Sequence, residues 1–577
     1  MSGLGSSLFC TPPESMREVL VRSTEGAPTA TRLAATLGPS SRDVSTISAL
    51  LRSGAKIARF DLTYGDKAYH LETYRNLVTA MKETQLLCAV MLNPAGPDIH
   101  VIQPAGRPLE PIALEAGQIL RLTNEPGCLP SSSCLPISWP GSFEGQGIAP
   151  GASIFVGQYL FTGAETSSAF LTVTEVSPSA VTCSVKNSCR LEGVQLTVKM
   201  AEGTVNPLPS LGPKDEAVLR AWVTEASEIS SAAGLPGSGV DFLALPRCHT
   251  AADVADCRAM LERCGLRGCR VVAKLEDVQG LANHEAICAA ADALILSRGS
   301  LGTCLEPEKM FLAQKMLLHS ANNMGKPVFI TRLVDTMTDS PRPTRAEATD
   351  VANLVLDGAD GILLGSETFR GTYPVDVVHT VSAICRAAEA VFDNYAFYRA
   401  LVDQGDAADR AEAMASSAVR AAHKMAAKLI VVFTVTGRTA RLVAKYKPSQ
   451  PILTVVCTDP ANALFKVTPG HDRSPSSNMH KVGSDVLLGP SRPDLGSHGP
   501  QARACLLYRG ALPVMMDAPG GQQGGDVLQT VLDYAKGQGL VESGDRVVVS
   551  QCPRHMDSKV MSEAGVVQLV TVDLPLL

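Results

Sequence analysis

Short apolar segments alternate with longer amphipathic segments along roughly the first two thirds of the chain. Short runs that are apolar throughout are typical of parallel strands buried on both faces. The stretches between them have helix signals: Asp43 can cap one helix, Pro307 stands in the first turn of another, and further helices follow Thr344 and Pro374. Eight such strand–helix units predict a (β/α)8 TIM barrel. The predicted barrel strands are residues 32–36, 56–60, 87–92, 241–245, 270–274, 293–297, 327–331 and 361–365.

The pattern is interrupted after the third predicted strand. Residues 101–208 contain polar turns rich in Gly, Pro and Ser, together with short alternating stretches, and this combination predicts a small inserted β domain. The strands predicted there are residues 152–161, 168–176 and 180–185. A second stretch, EASEISSAAGLPGSG at residues 225–239, is rich in small and polar residues, and we expect a surface insertion there.

A second α/β pattern begins after residue 395. Its predicted strands are residues 429–433, 451–456, 511–515, 546–550 and 568–572. Residues 468–502 are rich in Ser, Pro, Gly and His and predict a mobile loop. We therefore expect four parts, namely an N-terminal segment (1–30), a barrel (31–100 and 209–395), an inserted β lid domain (101–208) and a C-terminal α/β domain (396–577).

Composition narrows the class of protein. Of 577 residues, 45% are hydrophobic and 19% charged, which is enough apolar material for buried cores. The net charge of −6 without a basic stripe argues against a nucleic-acid partner, and the absence of a long apolar run argues against a membrane partner. The first residues lack the pattern of a signal peptide, and the 16 cysteines contain no CxxC pair. We expect a cytoplasmic enzyme with reduced thiols.

Candidate chemistry collects where the predicted barrel strands end. Because barrel enzymes place their active sites at the C-terminal ends of the strands, residues there are the first candidates. Arginines, a lysine, carboxylates and hydroxyls in one mouth suit an anionic, phosphorylated substrate and a divalent metal. The residues at these strand ends are Arg59, Asp61, Thr63, Tyr64, Asn93, Lys274, Glu276, Ser297, Arg298, Gly299, Ser300, Thr331, Arg332 and Glu367.

Several of these residues lie in long, specific motifs. The motifs are TLGPSSR (36–42), AKLEDVQGL (273–281), LSRGSLG (296–302) and PRPTRAEATDVANLVLDGADGILLGSETFRGTYP (341–374). Together they resemble pyruvate kinase. ARFDLTYGDKAYHLET (58–73) and FVGQYLFTGAETS (155–167) are similar to the plant cytosolic branch of that family. The resemblance implies a barrel, a β-barrel lid inserted after the third strand and a C-terminal α/β domain.

The resemblance also implies a reaction and the residues that perform it. The family transfers the phosphoryl group of phosphoenolpyruvate to ADP, giving pyruvate and ATP in glycolysis. Lys274 and Arg59 match the lysine and arginine that neutralise and hold the phosphoryl group. Thr331 matches the threonine at the end of the site where the enolate is protonated. The backbone amides of Gly299 and Ser300 would face the substrate carboxylate.

The family's divalent-metal site departs from the usual pattern in this chain. Glu276 matches the first protein ligand of Mg²⁺ (or Mn²⁺). Ser300 stands where the second ligand is usually an aspartate. Since Mg²⁺ often keeps waters and takes substrate oxygens, one carboxylate can suffice, with Ser300 an uncertain second ligand.

The family's K⁺ site also departs. Family members that use K⁺ ligate it with an Asn and a Ser after strand two and an Asp–Thr pair after strand three. Here the matching residues are Asp61, Thr63, Asn93 and Pro94. One carboxylate and one amide are retained on opposite sides, and Asp98 keeps the acidic residue of the K⁺-dependent members, so we expect K⁺ activation.

The segment TVTGRTAR (434–441) resembles the family's effector phosphate cradle. Its candidate phosphate ligands are Thr434, Thr436, Gly437, Arg438 and Thr439. An ordinary strand–helix turn is an equally good interpretation, because plant cytosolic members generally do not use this site. Assembly as a homotetramer is implied by the family alone.

Two alternatives to an active pyruvate kinase stay open at this point. A catalytically impaired paralogue could act as a ligand-binding regulatory or structural subunit, and Ser300, Asn93, Pro94 and His249 depart from the family in that direction. The retained Lys274, Glu276, Arg59 and Thr331 argue for the enzyme. The second alternative is a barrel that uses the same anion site for another phosphorylated metabolite.

Overall fold

A computed structural model describes residues 10–11, 13–21, 28–97, 99–102, 109–157, 168–193, 196–199, 209–235, 237–404, 409–457, 499–516, 524–551 and 566–573. In those residues, strands are numbered β1–β22 and helices α1–α17 in chain order. None of the helices in the described part of the chain has both the length and the apolar character needed to span a bilayer.

Eight parallel strands close into a barrel in the order β1-β17-β16-β15-β14-β13-β3-β2. All eight predicted strands are present, with ends that differ from the prediction by no more than two residues. The TIM-barrel prediction is therefore confirmed. The strands are β1 (Arg32–Thr36), β2 (Ala55–Asp61), β3 (Ala89–Asn93), β13 (Phe242–Leu245), β14 (Arg270–Leu275), β15 (Ala293–Leu296), β16 (Val328–Thr331) and β17 (Gly361–Leu364).

Capping residues mark the ends of several helices. The Asp43 carboxylate accepts from the Thr46 amide at the start of α2, which ends at Gly54, where φ is +118°. Thr344 and Glu347 form a reciprocal capping box at α10. The helices are α1 (Pro13–Val21), α2 (Val44–Ser53), α3 (Lys67–Thr84), α4 (Pro213–Ala232), α5 (Ala251–Arg263), α6 (Val278–Ala282), α7 (His284–Ala290), α8 (Arg298–Leu301), α9 (Met310–Met324), α10 (Arg345–Leu356), α11 (Ser366–Phe369), α12 (Pro374–Ala390), α13 (Asn394–Gln404), α14 (Arg410–Lys424), α15 (Arg438–Lys445), α16 (Gly499–Cys505) and α17 (Gly524–Gly537).

The expected surface insertion at residues 225–239 is wrong for its first half. Helix α4 continues to Ala232, because Trp222, Ala226 and Ser230 lie on one face of it and are buried. Small residues here allow close helix packing, and the Tyr74 hydroxyl lies 2.5 Å from the Ser230 hydroxyl. Composition alone had suggested a loop.

The inserted domain is an antiparallel sheet except for β6 and β7, which pair in parallel. Its main sheet has the order β4-β12-β8-β9-β10-β6-β7, with β5 and β11 paired separately. The two edges meet where Val101 bridges Ile137 and the Ile102 amide donates to the Pro136 carbonyl at 2.7 Å. A small barrel results, as expected. Its strands are β4 (Ile99–His100), β5 (Leu109–Leu114), β6 (Ile119–Thr123), β7 (Cys134–Pro136), β8 (Ser153–Gly157), β9 (Ala169–Ser177), β10 (Ala180–Val185), β11 (Cys189–Gly193) and β12 (Thr197–Lys199).

The C-terminal domain is a five-stranded sheet in the order β20-β19-β18-β21-β22, parallel except for β22. The strands are β18 (Leu429–Thr434), β19 (Ile452–Cys457), β20 (Ala511–Met516), β21 (Arg546–Gln551) and β22 (Val566–Thr571). Most of the predicted mobile loop, residues 468–498, lies outside the described residues. Its last residues, 499–502, belong to α16 rather than to a loop. The boundaries proposed for the four parts stay predictions.

Buried ion pairs join the C-terminal domain to the N-terminal ends of the barrel strands, which we call the barrel floor. Arg503 Nε lies 2.8 Å from Asp241 Oδ1, just before β13, and both side chains are almost fully buried. Lys447 Nζ lies 2.8 Å from Asp360 Oδ1, just before β17. The buried guanidinium of Arg32, in β1, donates to the Tyr508 carbonyl at 2.8 Å. The floor therefore docks the second domain, and the opposite end of the barrel stays available for chemistry.

One further contact joins the floor to the C-terminal domain at β14. The Arg270 guanidinium, at the first residue of that strand, donates to the Thr436 carbonyl at 2.9 Å. Thr436 belongs to the predicted phosphate cradle, so that loop touches the strand that ends at Lys274 and Leu275.

Asp241→Asn tests the importance of the docking pair. The change keeps the side-chain volume but leaves the Arg503 charge buried without its counter-ion, and comparable losses cost about 3–5 kcal/mol. We expect the melting temperature to fall by several degrees in a thermal scan. Glu125→Gln, which breaks the half-exposed Arg121–Glu125 pair, is the control and should leave it unchanged. Equal melting temperatures for the two variants would contradict the role of the floor pair.

Candidate active site

A cleft of about 520 Å³, open to solvent, lies at the C-terminal ends of the barrel strands. Its position is the one expected for barrel enzymes. Seven of the 14 residues that the sequence placed at strand ends line it. The lining residues are Arg59, Lys274, Ile295, Ser297, Gly299, Ser300, Thr331, Arg332, Leu363, Gly365 and Ser366.

Lys274 and Glu276 form a buried ion pair beneath the cleft. Lys274 Nζ lies 3.0 Å from Glu276 Oε1, and the two side chains are 4% and 6% exposed. The Ser300 hydroxyl lies 3.3 Å from the same carboxylate oxygen. Glu276 Oε2 accepts from the Arg247 amide at 2.9 Å. The carboxylate is thus held in a fixed orientation with one oxygen directed toward Lys274 and Ser300.

The backbone of Arg247 is a participant that sequence reasoning missed. Its φ of +44° is in the left-handed region, which is unusual for a residue other than glycine. That conformation accompanies the donation of its amide to Glu276. No side-chain pattern signals such a contact, because it depends on a strained loop conformation after β13.

Arg59 and Asp61 form a second buried pair at the end of β2. Arg59 Nη2 donates to Asp61 Oδ2 at 2.7 Å, and Arg59 Nη1 donates to the Thr36 hydroxyl at 3.1 Å. Burial opposes ionisation of Asp61, but Arg59, the Thr63 hydroxyl and Lys274 outweigh it, and its pKa lies below its usual value. Arg59 Nε is buried and has no hydrogen-bond partner among the described residues. It is a donor suited to an anionic ligand.

The residues predicted to hold K⁺ are adjacent. Asp61 Oδ1 accepts from the Thr63 hydroxyl at 2.7 Å and from the Asn93 side-chain amide at 3.3 Å. The Asn93 amide also lies 3.5 Å from the Pro94 carbonyl. Asn93 Oδ1 is buried and has no hydrogen-bond partner in the described part of the chain. Asp98, the acidic residue expected to support this site, lies outside the described residues.

Thr331 lies at the end of β16 on the other side of the cleft. Its hydroxyl accepts from the Arg298 amide at 3.2 Å and lies 3.4 Å from the Leu296 carbonyl. Gly299 and Ser300 belong to the four-residue helix α8, whose N-terminus faces the cleft. The Ser297 hydroxyl is also buried, with no hydrogen-bond partner among the described residues.

Glu367 is fully buried after β17, with Oε2 accepting from the Gly365 amide at 2.7 Å. Burial and then the neighbouring Asp335 carboxylate raise the pKa of Glu367 to about 7. Burial likewise raises the pKa of Asp335, although Arg332 lies 2.9 Å away. Sequence reasoning had noted Glu367 only as a residue following a strand, because burial is a tertiary property.

Other predicted residues lie outside the cleft. His249 Nε2 lies 2.6 Å from Asp277 Oδ2, and this hydrogen bond raises the pKa of His249 despite its burial. His100 is in the lid, with Nδ1 3.1 Å from the Ser138 hydroxyl. Both histidines therefore serve local structure in this chain.

The predicted phosphate cradle lies in the C-terminal domain, at the turn between β18 and α15. The Thr434 hydroxyl accepts from the Gly437 amide at 2.9 Å, and Gly437 has a φ of +83°. Arg438 pairs with Asp409 at 2.5 Å, and Thr439 is buried. The turn's own hydrogen bonds account for Thr434 and Gly437, so the effector role stays a prediction.

The cleft offers oxygen donors of the kind that Mg²⁺ prefers. The Glu276 carboxylate and the Ser300 hydroxyl share one corner of it, and both are buried. In the described part of the chain, no group of three or more His, Cys, Asp or Glu residues is placed to hold a metal. A divalent ion here would therefore take its remaining ligands from substrate and water.

A TIM barrel with two buried cations, a buried carboxylate and hydroxyls at its mouth defines an enzyme that acts on a phosphorylated anion. The description "Pyruvate kinase, barrel domain" matches residues 29–378, and "Pyruvate kinase, alpha/beta domain" matches residues 412–558. The chain belongs to the pyruvate kinase family. It is a phosphotransferase, and its function is pyruvate kinase activity.

Individual proteins similar to this chain in sequence or structure are pyruvate kinases. "Pyruvate kinase 2, cytosolic" of Oryza sativa subsp. indica is 40% identical over 541 residues, covering 92% of this chain and 94% of the rice protein. The cytosolic isozyme of Glycine max is 34% identical, covering 90% and 92%. The structure of Cryptosporidium parvum pyruvate kinase in complex with ADP has a TM-score of 0.72 and 28% identity, covering 97% and 99%. The resemblance to the plant cytosolic branch and the cytosolic location are thereby confirmed, and nothing favours the impaired paralogue.

Glu367→Gln tests the raised pKa of this buried carboxyl. A folded-state pKa near 7, above the usual value of 4.5, means that Glu367 stabilises the fold when protonated and that this stability is lost as pH rises through 7. The melting temperature of wild type minus that of the variant should fall by about 2 °C between pH 5 and pH 8. Glu262→Gln, at an exposed position, is the control. If the melting temperatures of wild type and Glu367→Gln change in parallel with pH, Glu367 is ionised throughout the range from pH 5 to pH 8.

Proposed function

We propose that Lys274 and Arg59 bind and neutralise the phosphoryl group of phosphoenolpyruvate during its transfer to ADP. The observation that carries the proposal is their convergence: both are buried, both line one cleft, and each is held by a carboxylate two residues further along the chain. Phosphoryl transfer requires positioning and charge stabilisation more than covalent chemistry by the protein. Fixed, buried cations supply both.

The cleft offers hydrogen-bond donors to the phosphoryl oxygens of the substrate. Arg59 Nε and the Ser297 hydroxyl are buried without partners among the described residues, and both residues line the cleft. The Lys274 ammonium lies in the same cleft and is paired with Glu276. An anion bound between these groups would satisfy donors whose burial otherwise costs free energy.

Thr331 and α8 face the rest of the substrate. In our proposal the amides of Gly299 and Ser300 orient its carboxylate. The Thr331 hydroxyl lies beside them and can donate or relay a proton to the enolate carbon after the phosphoryl group has left. That hydroxyl accepts from the Arg298 amide, which fixes its position, and donates to the Leu296 carbonyl at 3.4 Å, so this long hydrogen bond must break before the proton is passed on.

Glu276 and Ser300 would hold the divalent cation, Mg²⁺ or Mn²⁺. Bound there, the cation would neutralise charge on phosphate and enolate oxygens. Glu276 is oriented for this by the Arg247 amide, which leaves its other oxygen on the Ser300 side. Ser300 contributes a neutral oxygen in place of a carboxylate.

Asp61, Thr63, Asn93 and the Pro94 carbonyl would hold K⁺. Three of these residues contact one another, and the buried Asn93 Oδ1 is an acceptor without a partner in the described residues. A monovalent cation would satisfy that oxygen. ADP as the acceptor is supported by the ADP complex of the Cryptosporidium relative. A homotetramer stays a proposal from the family, as does an effector at residues 434–439.

Lys274→Met tests the central role. The change removes the charge and keeps an unbranched side chain, so we expect kcat for pyruvate formation to fall about 1000-fold or more, with folding retained by circular dichroism. Lys309→Met, at an exposed ion pair, is the matched control and should keep wild-type kcat. Wild-type turnover in Lys274→Met would refute the assignment.

Ser300→Asp tests the altered metal corner. A second carboxylate beside Glu276 should lower the Mg²⁺ concentration for half-maximal rate, while kcat at saturating Mg²⁺ stays close to wild type. Thr303→Asp adds the same charge at an exposed position of the following turn and should change neither value. A large gain in kcat for Ser300→Asp would mean that Ser300 limits catalysis in the natural chain.

A further inference from the structure

Two cysteine sulfurs in the lid domain are almost in bonding contact. Cys128 and Cys134 lie six positions apart in the segment GCLPSSSC, which connects β6 to β7. Their Sγ atoms are 2.9 Å apart. An S–S bond measures about 2.05 Å, so a small side-chain movement would bring them to bonding distance.

The connection is folded in a way that keeps the two sulfurs together. The Ser131 amide donates to the Cys134 carbonyl at 2.8 Å, and the Cys134 amide donates to the Ser131 hydroxyl at 3.1 Å. The Arg121 amide of β6 donates to the Ser133 carbonyl at 2.9 Å. Because the backbone already holds the ends of the loop together, closing it costs little further entropy.

Exposure distinguishes this pair from most of the chain's thiols. Of the 14 cysteines whose side-chain burial the structure describes, ten are buried, whereas Cys128 and Cys134 are both half-exposed. Burial raises the pKa of Cys183, in the same domain, to about 12. Buried thiols of this kind are inert, but solvent and small oxidants reach the β6–β7 connection, where neighbouring Leu129 is 69% exposed.

We propose that Cys128 and Cys134 form a reversible intramolecular disulfide, with a low-molecular-weight disulfide such as glutathione disulfide as the oxidant. Cys128, as thiolate, attacks one glutathione sulfur, breaks the S–S bond and releases one glutathione thiolate. Cys134 then loses its proton and attacks Cys128 Sγ, which releases the second glutathione. Two protein thiols are oxidised to one disulfide, and glutathione disulfide is reduced to two glutathiones.

The order of attack follows from the surroundings of Cys134. Cys134 is the first residue of β7 and is paired with Arg121 of β6, whereas Cys128 lies in the turn outside both strands, where a small oxidant reaches it first. Burial also raises the pKa of Cys134. In the second step, the Cys134 sulfur attacks the mixed disulfide at Cys128, whose sulfur already lies 2.9 Å away. In a cytosolic protein such a bond is transient and reports the redox state rather than serving as a permanent staple.

The Cys128–Cys134 pair is connected through β7 to the base of the lid domain. Cys134 is the first residue of β7, which leads to Ser138. The Ser138 hydroxyl accepts from the His100 amide at 3.0 Å and lies 3.1 Å from its ring. His100 is in β4, close to the point where the chain leaves the barrel. A cross-link at Cys134 therefore stiffens the strand that ends at the root of the lid.

Thiol mapping of the full-length protein tests the proposal. Reduced wild type is incubated with increasing ratios of glutathione disulfide to glutathione, free thiols are blocked with a maleimide, and peptides are sequenced by tandem mass spectrometry. We expect a Cys128–Cys134 disulfide that dithiothreitol removes. Cys10→Ser, which removes another half-exposed thiol, should form it equally well.

Single variants separate the two steps. Cys134→Ser should accumulate a glutathione mixed disulfide on Cys128, whereas Cys128→Ser should accumulate much less on Cys134. If the maleimide labels both Cys128 and Cys134 of wild type at every ratio, the two thiols stay reduced and the proposal is overturned. Pairing of either residue with a different cysteine would also overturn it. Equal glutathionylation of the two single variants would overturn the order of attack. None of these readouts depends on the assigned kinase mechanism.

Discussion

The candidate site depends on the alternation of side chains along a β-strand. Residues two positions apart point to the same face, and Arg59–Asp61 and Lys274–Glu276 both have this spacing at strand ends. The alternation places each cation within 3.0 Å of a carboxylate, deep enough that none of the four charges could be buried alone. The four charges cancel. The four charges leave the charge of an anionic substrate unbalanced, which is the physical reason for the divalent ion that we propose beside Glu276.

Opposite ends of the same barrel strands have different tasks. At the C-terminal ends, the paired charges leave donors such as Arg59 Nε without partners among the described residues, and so available to a ligand. At the floor, Arg503–Asp241 and Lys447–Asp360 are enclosed by the second domain and serve docking. The distinction is one of accessibility rather than of residue type, since both ends use buried Arg or Lys with Asp or Glu.

The sequence predicted the barrel well because buried parallel strands are short apolar runs with few alternatives. It also predicted the residues of the cleft, since a residue following a barrel strand has only one edge to occupy. It could not predict the Arg247 amide on Glu276, which depends on a strained backbone, or the pKa of Glu367, which depends on burial. The surface insertion predicted at residues 225–239 was wrong in its first half because a helix rich in Ala and Ser resembles a loop in composition. Only its packing against Tyr74 shows that it is a helix. The two floor pairs join residues 87 and 262 positions apart, and no local pattern signals them.

The hydrogen bond from Arg270 to the Thr436 carbonyl has a mechanical consequence. Strand β14 is fastened at its first residue to the C-terminal domain and carries Lys274 near its other end, within a sheet that closes on itself. Such a strand cannot slide along its neighbours without breaking hydrogen bonds on both sides. One strand thus joins the C-terminal domain to Lys274, so a movement of that domain at Thr436 would displace Lys274 at the other end of the strand.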